Sequence, residues 1–451
     1  MKILVAGNGK VGETLVKQLS EEGYDLTLID SDPQVLESGM ERYDVMTVQG
    51  NCASMETLRR AGVERADLLI ATTGMDELNL LCCMTAHGLN PGLHTIARIR
   101  TPEYAEQAYI MRDTFGLSLS FNPEKQAADE IDKVLKYPGF LKRDTFAKGQ
   151  VEIVELKIDR GSKLADIQLS TMYNIVKCKV LVCSVLRNGT AITPDGNFIL
   201  REGDRIFVTA PSNNLSVLLK NLGIVTKKVR KAVLVGGGNV SYYLAQKLLA
   251  AHMEVDIIEK DKERCVRLAA LLPRASVIHG DASEQDVIER TLGDCDAIVT
   301  LTGLDELNII VSLYANSCNI PKVITKLSRG DDSNVINSLP IGSIISPRRL
   351  CCNTIVRYVR ALKNQSGAAV TIHSIADGNA EALEFLADKT TLNCGKPLKT
   401  VKLKKNILIV CITKEGKIEI PNGDSFFNEG DSIVVVSSQG TVISQLNDIF
   451  E

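Results

Sequence analysis

The chain has 451 residues, of which 45% are hydrophobic and 24% charged. These values are typical of a soluble globular protein, and the length fits about three to four domains. The net charge of -3, the absence of Trp and an aromatic content of 4% argue against a nucleic-acid partner, which needs a basic surface or stacking side chains.

Residues 1–122 alternate short apolar strands with segments of helical periodicity. The predicted strands read ILVAG, DLTLID, VMTVQG, DLLIATT and HTIARI. Such alternation predicts a Rossmann-like, doubly wound parallel sheet with helices on both faces. The nearly continuous apolar runs suit strands that are buried on both sides.

Residues 123–145 are predicted to form a linking helix and a joint. The helix begins at Pro123, and Pro138-Gly139 interrupts the chain after it. Residues 146–226 then carry short alternating strands such as VEIVELKI, VLVCSVLR and DRIFVTA, with turn signals RNGT, PDGN and REGD between them. This texture predicts a small α+β domain.

The second half of the chain repeats the first. The string ILVAGNGKVGETLVKQL from Ile3 aligns with AVLVGGGNVSYYLAQKL from Ala232, and ADLLIATTGMDELNLL from Ala66 aligns with CDAIVTLTGLDELNII from Cys295 at the same offset. A shared TG-x-DELN string inside a longer apolar match indicates a duplication. We therefore predict a second Rossmann-like domain at 229–346, a linking helix at 347–366 and a second small α+β domain at 367–451.

A glycine loop opens the first predicted helix. Gly7-x-Gly9-x-x-Gly12 follows a strand directly, and Asp30 ends the next strand. In this context Gly7 permits a tight turn, Gly9 lets the backbone approach a pyrophosphate, and Gly12 allows close helix–strand packing. Asp30 would accept hydrogen bonds from ribose hydroxyls and repel a 2′-phosphate, which favours NAD over NADP. A purely structural turn is the alternative.

The second copy departs from this pattern. Its loop runs from Gly236 to Ser241, and Glu259 replaces Asp30. Ser241 is expected to loosen the packing of helix on strand, although Glu259 can still accept from a ribose. A degenerate, purely structural copy remains open as an alternative.

Polar residues also recur where the third and fourth strands end. Asn51 and Asp281 stand where an adenine edge would lie, and Thr73 and Thr302 end the fourth strand. The DELN carboxylates, Asp76 and Asp305, begin the next helix and are predicted to have a structural role, for which an N-cap is the simplest form, with nucleotide or interface contact as the alternative. Asn79 and Asn308 follow on its first turn.

No catalytic apparatus is visible in the sequence. The five histidines lack an evident nucleophile or carboxylate partner, and H-E-x-x-H, G-x-S-x-G and Walker patterns are absent. No C-x-x-C pair suggests a metal, so the 12 cysteines are predicted to be small buried residues of a reducing compartment. We predict a protein without catalytic or metal-binding residues; an NAD-dependent oxidoreductase is the alternative.

These features together resemble the RCK (regulator of K⁺ conductance) family, with its KTN/TrkA-N plus TrkA-C arrangement. The resemblance rests on the glycine loop, Asp30, GNCAS from Gly50, TTGMDELN from Thr72 and a small domain with REGD, and it occurs twice. It implies a cytoplasmic regulatory subunit that binds NAD(H), or alternatively ATP or ADP. It further implies a ring, as a homotetramer of tandem chains, on the inner face of the membrane under a K⁺-translocating partner of the TrkH/TrkG-like kind.

The resemblance also implies the residues of each nucleotide site. The first site would comprise Gly7, Asn8, Gly9, Lys10, Val11, Gly12, Asp30, Asn51, Cys52, Thr73, Asn79 and Arg98. The second would comprise Gly236, Gly238, Asn239, Val240, Glu259, Asp281, Thr302 and Lys326. Lys10 stands where some relatives have an Arg that meets terminal phosphates, and it lacks the planar fork of Arg. Asn239 replaces that cation in the second copy, which weakens recognition of a triphosphate there.

Overall fold

The computed structural model describes residues 1–110, 112–136, 139–146, 151–224, 228–328, 336, 339–362, 369–414, 416–438, 443 and 445–451. Within them, two α/β domains are each followed by a smaller antiparallel sheet with helices, which confirms the predicted fold class. Of the predicted joint, Pro138 lies outside the described residues.

The first α/β domain is built on a six-stranded parallel sheet whose central strands are buried on both faces, because helices cover each side. Its elements are β1 (Lys2–Ala6), α1 (Lys10–Glu21), β2 (Asp25–Asp30), α2 (Pro33–Arg42), β3 (Met46–Gln49), α3 (Met55–Arg60), β4 (Leu68–Ala71), α4 (Asp76–Leu89), β5 (His94–Arg98), α5 (Pro102–Ile110) and β6 (Leu119–Phe121). The strand order β3-β2-β1-β4-β5-β6 places a topological switch between β1 and β4, the position where open α/β sheets bind ligands.

A linking helix leads into the first small domain. The elements are α6 (Pro123–Lys136), β7 (Lys142–Phe146), β8 (Val151–Lys157), α7 (Tyr173–Val176), β9 (Leu181–Arg187), β10 (Thr190–Ile192), β11 (Arg205–Pro211) and α8 (Ser212–Leu222). The strands form an antiparallel sheet in the order β10-β9-β11-β8-β7. Tyr173 and Lys177, whose spacing superficially resembles a dehydrogenase pair, lie at the two ends of the short helix α7 in this domain.

The second α/β domain repeats the first. Its elements are β12 (Lys231–Val235), α9 (Asn239–Ala250), β13 (Glu254–Glu259), α10 (Lys262–Leu271), β14 (Ser276–His279), α11 (Gln285–Leu292), β15 (Ala297–Thr300), α12 (Asp305–Ser317), β16 (Lys322–Lys326) and β17 (Ser343–Ile345). The parallel strands follow the order β14-β13-β12-β15-β16-β17, which matches the first sheet strand for strand.

The second small domain follows another linking helix. Its elements are α13 (Pro347–Leu362), β18 (Ala369–Ile375), β19 (Ala380–Leu386), β20 (Ile407–Lys414), β21 (Lys417–Glu419) and β22 (Ser432–Ser438). The order β18-β19-β22-β20-β21 reproduces that of the first small domain, read from the other edge. The duplication therefore extends through both domain types.

The two small domains share one apolar core. Buried residues of both sheets, among them Phe146, Phe207, Ala382 and Val436, belong to a single cluster. At its margin Asp144 and His373, from the edge strands β7 and β18, pair at 3.0 Å between Oδ1 and Nδ1. Burial alone would raise the pKa of Asp144, but the charges of Lys142 and His373 outweigh it and hold that pKa below its usual range.

The residues of each linking helix are divided between the two compact units of the chain. The first unit comprises Met1–Asp129 together with Ser346–Tyr358, and the second comprises the remainder. Within the first unit, Cys352 Sγ of α13 lies 3.8 Å from the Val11 carbonyl of α1. The hydroxyl of Tyr358 lies 3.1 Å from Nδ1 of His94. The first α/β domain therefore packs against a helix that follows the second one in sequence.

Ten of the twelve cysteines are buried, which confirms their predicted role as small core residues. None of the described helices has both the length and the apolar character that a membrane span requires.

Lys322 is a buried cation at the start of β16. Its side chain is 5% exposed, and its Nζ donates to the Phe140 carbonyl at 2.7 Å, which anchors the segment before β7. Burial lowers the pKa of Lys322 to about 8, against an ordinary 10.5, and the carboxylate of Glu155 offsets only part of that effect.

We expect the free energy of unfolding to rise between pH 8 and 10.5 on account of Lys322. In this window the unfolded chain holds a proton that the folded chain has released, so a higher pH favours folding by up to about 3 kcal/mol. Urea unfolding across this range, compared between the unmodified chain and Lys322→Met, measures the effect, since the variant should lose this rise. Lys231→Met, which removes a more exposed lysine of the same domain, should keep it. Equal pH profiles for the unmodified chain and Lys322→Met would contradict the assignment.

Candidate nucleotide site

Two glycines of the first loop are required by their surroundings. Gly7 has φ +92°, and a Cβ there would stand 2.9 Å from the Thr73 backbone. A Cβ on Gly12 would stand 2.0 Å from the Gly7 carbonyl oxygen. By contrast, a Cβ on Gly9 would meet no heavy atom within 4 Å. The loop therefore packs tightly against the protein at Gly7 and Gly12, whereas the space around Gly9 is free of protein atoms.

Helix α1 begins at this opening without a cap. Gly9 is the N-cap, and no described side chain accepts a hydrogen bond from the first turn. The first N–H groups of a helix have no partner inside the helix, and they carry a partial positive charge. An uncapped, open helix N-terminus is an arrangement that binds phosphate. The exposed Lys10 and the buried Val11 are the first two residues of this turn.

Asp30 holds the loop from the neighbouring strand. Its Oδ2 accepts from the Asn8 N–H at 2.8 Å and its Oδ1 from the Asp32 N–H at 3.1 Å. Each oxygen retains acceptor capacity, and the side chain is half-buried. The side-chain oxygen of Asn8 is buried without a hydrogen-bond partner among the described residues. Acceptors of this kind suit the hydroxyl groups of a ribose.

Thr73 is fixed at the end of β4 by a buried amide. Asn79 is fully buried, and its Oδ1 accepts from the Thr73 N–H at 2.8 Å and from its hydroxyl at 2.7 Å. The Asn79 Nδ2 donates to the Arg98 carbonyl at 2.9 Å, which ties β4 to β5. The buried Asn79 therefore positions Thr73 from the protein interior. A contact of Asn79 itself with a nucleotide stays a prediction.

Arg98, at the end of β5, also contacts Thr73. Its Nη2 donates to the Thr73 carbonyl. Burial, together with the charge of Arg100, lowers the pKa of the Arg98 guanidinium below its usual range. Arg100, which the sequence reasoning did not select, donates to the Gly74 carbonyl at 2.5 Å.

The DELN carboxylates do not cap their own helices, contrary to the sequence-based expectation. Met75 and Leu304 are the N-cap residues. Asp76 instead accepts from the N–H groups of Arg100 and Thr101 at 2.9 and 2.8 Å, and Asp305 accepts from the Ser328 N–H at 2.9 Å. The carboxylates thus tie helix starts to the segments after β5 and β16, which a local capping rule cannot foresee.

Asn51 and Cys52 lie in the loop after β3. Asn51 is exposed, and its Oδ1 accepts from the Ala53 N–H at 3.0 Å. Cys52 is buried, and the hydrogen bond from the Cys82 thiol is the main cause that lowers the pKa of the Cys52 thiol. Asn51 is thus accessible at this edge, whereas Cys52 is held in the core.

The second copy has the same framework. Gly236 has φ +103°, Gly238 is the open and uncapped N-cap of α9, and Asn239 and Val240 begin the helix. Asn308 binds Thr302 and the Lys326 carbonyl as its counterpart does, and the Lys326 Nζ donates to the Leu301 carbonyl at 3.1 Å. Asp281, in the loop after β14, accepts from the Ser283 N–H at 2.9 Å.

The second acid differs from the first. Glu259 is 5% exposed, and its Oε2 accepts from the Gly237 N–H at 2.7 Å. Its Oε1 accepts from the Asp261 N–H at 2.8 Å, and Arg264 lies 3.5 Å from Oε2. Gly237 replaces Asn8, and a Cβ there would stand 2.5 Å from Leu268 Cδ1 and 3.0 Å from Glu259 Oε2. The space at this position is therefore taken mainly by Leu268, which replaces Gly39 of the first copy.

Comparisons with known proteins agree with this architecture. The TrkA-N domain matches residues 3–114 and 232–347, and the TrkA-C domain matches residues 153–223. The chain belongs to the TrkA family. The Trk system potassium uptake protein TrkA of Haemophilus influenzae is 30% identical, with 100% of this chain and 99% of that protein aligned. The TrkA homolog 1 of Methanosarcina mazei is 31% identical over 97% of each chain.

Solved structures share the fold. The GsuK channel bound to NAD has a TM-score of 0.61 and 16% identity, covering 97% of this chain and 76% of that one. The GsuK RCK domain has a TM-score of 0.61 and 15% identity, covering 97% and 92%. The relatives carry the name of potassium uptake proteins and not of enzymes.

The two TrkA-N copies satisfy the first glycine carbonyl in different ways. In the first, the Thr72 hydroxyl donates to the Gly7 carbonyl at 2.7 Å, and Gly12 leaves room for this bond. In the second, Leu301 replaces Thr72, and the Ser241 hydroxyl donates to the Gly236 carbonyl. Ser241 is fully buried. The expected loosening of helix on strand stays a prediction. The hydroxyl donor has moved from the strand to the helix.

We expect Gly12→Ser to lower the free energy of unfolding of the first α/β domain by about 2 to 3 kcal/mol, because its Cβ would overlap the Gly7 carbonyl. Gly12→Ser/Thr72→Leu, which installs the pair of the second copy, should recover about 1 kcal/mol relative to the sum of the single changes. Urea unfolding of the four chains gives the coupling energy. Strict additivity would show that the two positions do not compensate each other.

Proposed function

We propose that this TrkA-family chain is a cytoplasmic, nucleotide-binding regulatory subunit that controls K⁺ flux through a membrane partner. The observation that carries the proposal is the uncapped N-terminus of α1, open at Gly9 and flanked by Asp30. The free N–H groups of this turn would hold the pyrophosphate, and Asp30 with Asn8 would receive the ribose hydroxyls.

NAD(H) is the ligand that this chemistry favours at the first copy. An acid at the end of β2 accepts from ribose hydroxyls and repels a 2′-phosphate. ATP and ADP are alternative ligands, since Lys10 supplies a charge near the loop, but it lacks the bidentate fork of Arg. A related fold, the GsuK channel, was solved with NAD, which supports the same class of ligand here.

Coupling to the rest of the molecule would pass through α13. This helix contacts the first turn of α1 through Cys352 and Val11, and Cys351 contributes to the electrostatic surroundings of Arg98. A nucleotide that binds two arrangements of α13 with different affinity shifts their populations. Each site typically contributes about 1–3 kcal/mol, so several sites in one assembly could move a transport equilibrium together.

Self-association is supported by apolar residues that the duplication repeats on the surface. Leu81 on α4 and Ile310 on α12 occupy equivalent positions and are 46% and 63% exposed, and Met75 and Leu304 before these helices are likewise exposed. Paired apolar patches of this kind suit contacts between copies. We infer a ring, as a homotetramer of tandem chains, on the inner face of the membrane under a TrkH/TrkG-like K⁺-translocating subunit.

We expect NADH to bind the chain and Asp30→Ala to weaken that binding by about tenfold or more, the loss of roughly one charge-assisted hydrogen bond. Isothermal titration with NADH, NAD, ATP and ADP measures it. Asp25→Ala, at the exposed opposite end of β2, is the matched control and should leave the affinity unchanged. Absence of heat with all four ligands would overturn the sensor proposal.

Replacement of Leu81 and Ile310 by Asp should shift the assembly to smaller species, because each chain would bring two desolvated carboxylates to its contacts. Light scattering after gel filtration reports the mass. Val266→Asp is the control, since Val266 is 65% exposed but its equivalent in the first copy is Glu37. An unchanged mass for Leu81→Asp/Ile310→Asp would exclude this face from the ring contacts.

A further inference from the structure

The two copies differ sharply in charge around the acid that ends their second strand. The second copy carries four cations and a histidine there: Lys260, Lys262, Arg264, Arg267 and His279. The equivalent positions of the first copy are all neutral: Ser31, Pro33, Val35, Ser38 and Gln49. Strand pairing supports the last equivalence, because Gln49 opposes Asp30 and His279 opposes Glu259.

The four cations and His279 lie near the carboxyl ends of β13 and β14. Lys260 follows β13, and Lys262 begins α10. Arg264 and Arg267 are three residues apart on that helix, so they project from the same face. The ring Nε2 of His279 lies 3.1 Å from the Lys260 carbonyl, which brings the end of β14 to the same place. All five side chains are exposed.

The acid at this edge is shielded, unlike Asp30. Both oxygens of Glu259 accept backbone N–H groups, and Arg264 pairs with Oε2. Since the carboxylate is buried and compensated, it repels a neighbouring anion less than the half-buried Asp30 does.

Acidic residues have also been gained, but fewer of them. Glu263, Asp281 and Glu284 stand where the first copy has Gln34, Asn51 and Ser54, and Asp261 is matched by Asp32. Three added carboxylates against four added cations leave an excess of one positive charge beside the ribose position.

We propose that the second glycine loop takes a dinucleotide with a 2′-phosphate, of the NADP(H) class, whereas the first takes NAD(H). This inference rests on the nucleotide-binding function proposed above. In this fold the 2′-position of the adenosine ribose lies beside the end of the second strand, and a nearby Arg accommodates a phosphate there. Arg264 and Lys260 would hold that phosphate, with Lys262, Arg267 and His279 adding to the attraction.

The test isolates the second copy with Gly9→Glu. Gly9 has φ -65° and open space around its Cβ position, so a carboxylate there blocks the first cradle without backbone strain. Isothermal titration of this full-length variant with NADPH and NADH is then repeated after adding Lys260→Ser and Arg264→Val, the residues of the first copy. Arg274→Val/Arg290→Ser removes two exposed arginines of the same domain, one before the start of β14 and one in the last turn of α11, and serves as the control.

We expect NADPH to bind Gly9→Glu at least about tenfold more tightly than NADH. Lys260→Ser/Arg264→Val should abolish that preference, and the control pair should retain it. Gly238→Glu in the same background should remove NADPH binding altogether. Equal affinities for the two dinucleotides, or a preference that survives Lys260→Ser/Arg264→Val, would overturn this inference alone, provided that NADH binds the unmodified chain. Failure of both dinucleotides, and of ATP and ADP, to bind the unmodified chain would instead refute the nucleotide-binding function itself.

Discussion

The structure depends on one local constraint, a helix whose first turn is left without a cap. Ser, Thr, Asp and Asn are the preferred N-caps, and Asp32 and Asp261 cap α2 and α10 in this way, but Gly9 and Gly238 occupy that position before α1 and α9. Substitution of Gly for a good cap costs only a few tenths of a kcal/mol. The gain is an open cradle of oriented N–H dipoles. Gly7 and Gly236, with their positive φ, form the turn that leads from the strand into the helix. The acid at the end of the neighbouring strand accepts a hydrogen bond from a loop N–H group and so fixes the loop.

After duplication, the two copies came to satisfy the same packing and hydrogen-bonding requirements with different residues. The first glycine carbonyl receives a hydroxyl donor from Thr72 in one copy and from Ser241 in the other. Likewise, Asn8 lies beside Gly39 in the first copy, whereas in the second copy Gly237 lies beside Leu268, which replaces Gly39. Each change makes sense only together with its partner. The second loop is therefore consistently packed, since random loss would leave clashes or unpaired groups.

Periodicity and glycine spacing predicted the four-domain architecture and the loop–acid arrangement, because these depend on residues close together in sequence. Contacts between distant residues were beyond that reach. Asp76 looked like a cap from its position, yet it binds the Arg100 and Thr101 amides after β5. The role of Arg100, the packing of Cys352 on α1 and the burial of Lys322 likewise follow from tertiary placement. The hydrogen bond from Ser241 to the Gly236 carbonyl could not be foreseen from the match of Ser241 to Gly12 alone, because it accompanies the replacement of Thr72 by the distant Leu301.

Fusion of two copies into one chain also removes a restriction that identical subunits face. Where two identical edges meet across a two-fold axis, a residue that lies on the axis meets its own copy, so a charge there meets a like charge. In this chain the meeting edges β7 and β18 carry different residues, and Asp144 pairs with His373. Because the two copies can change independently, the side chains around Asp30 are neutral, whereas those around Glu259 are largely basic. A tandem chain can therefore hold two nucleotide sites of different chemistry within one assembly, which separate identical subunits cannot do.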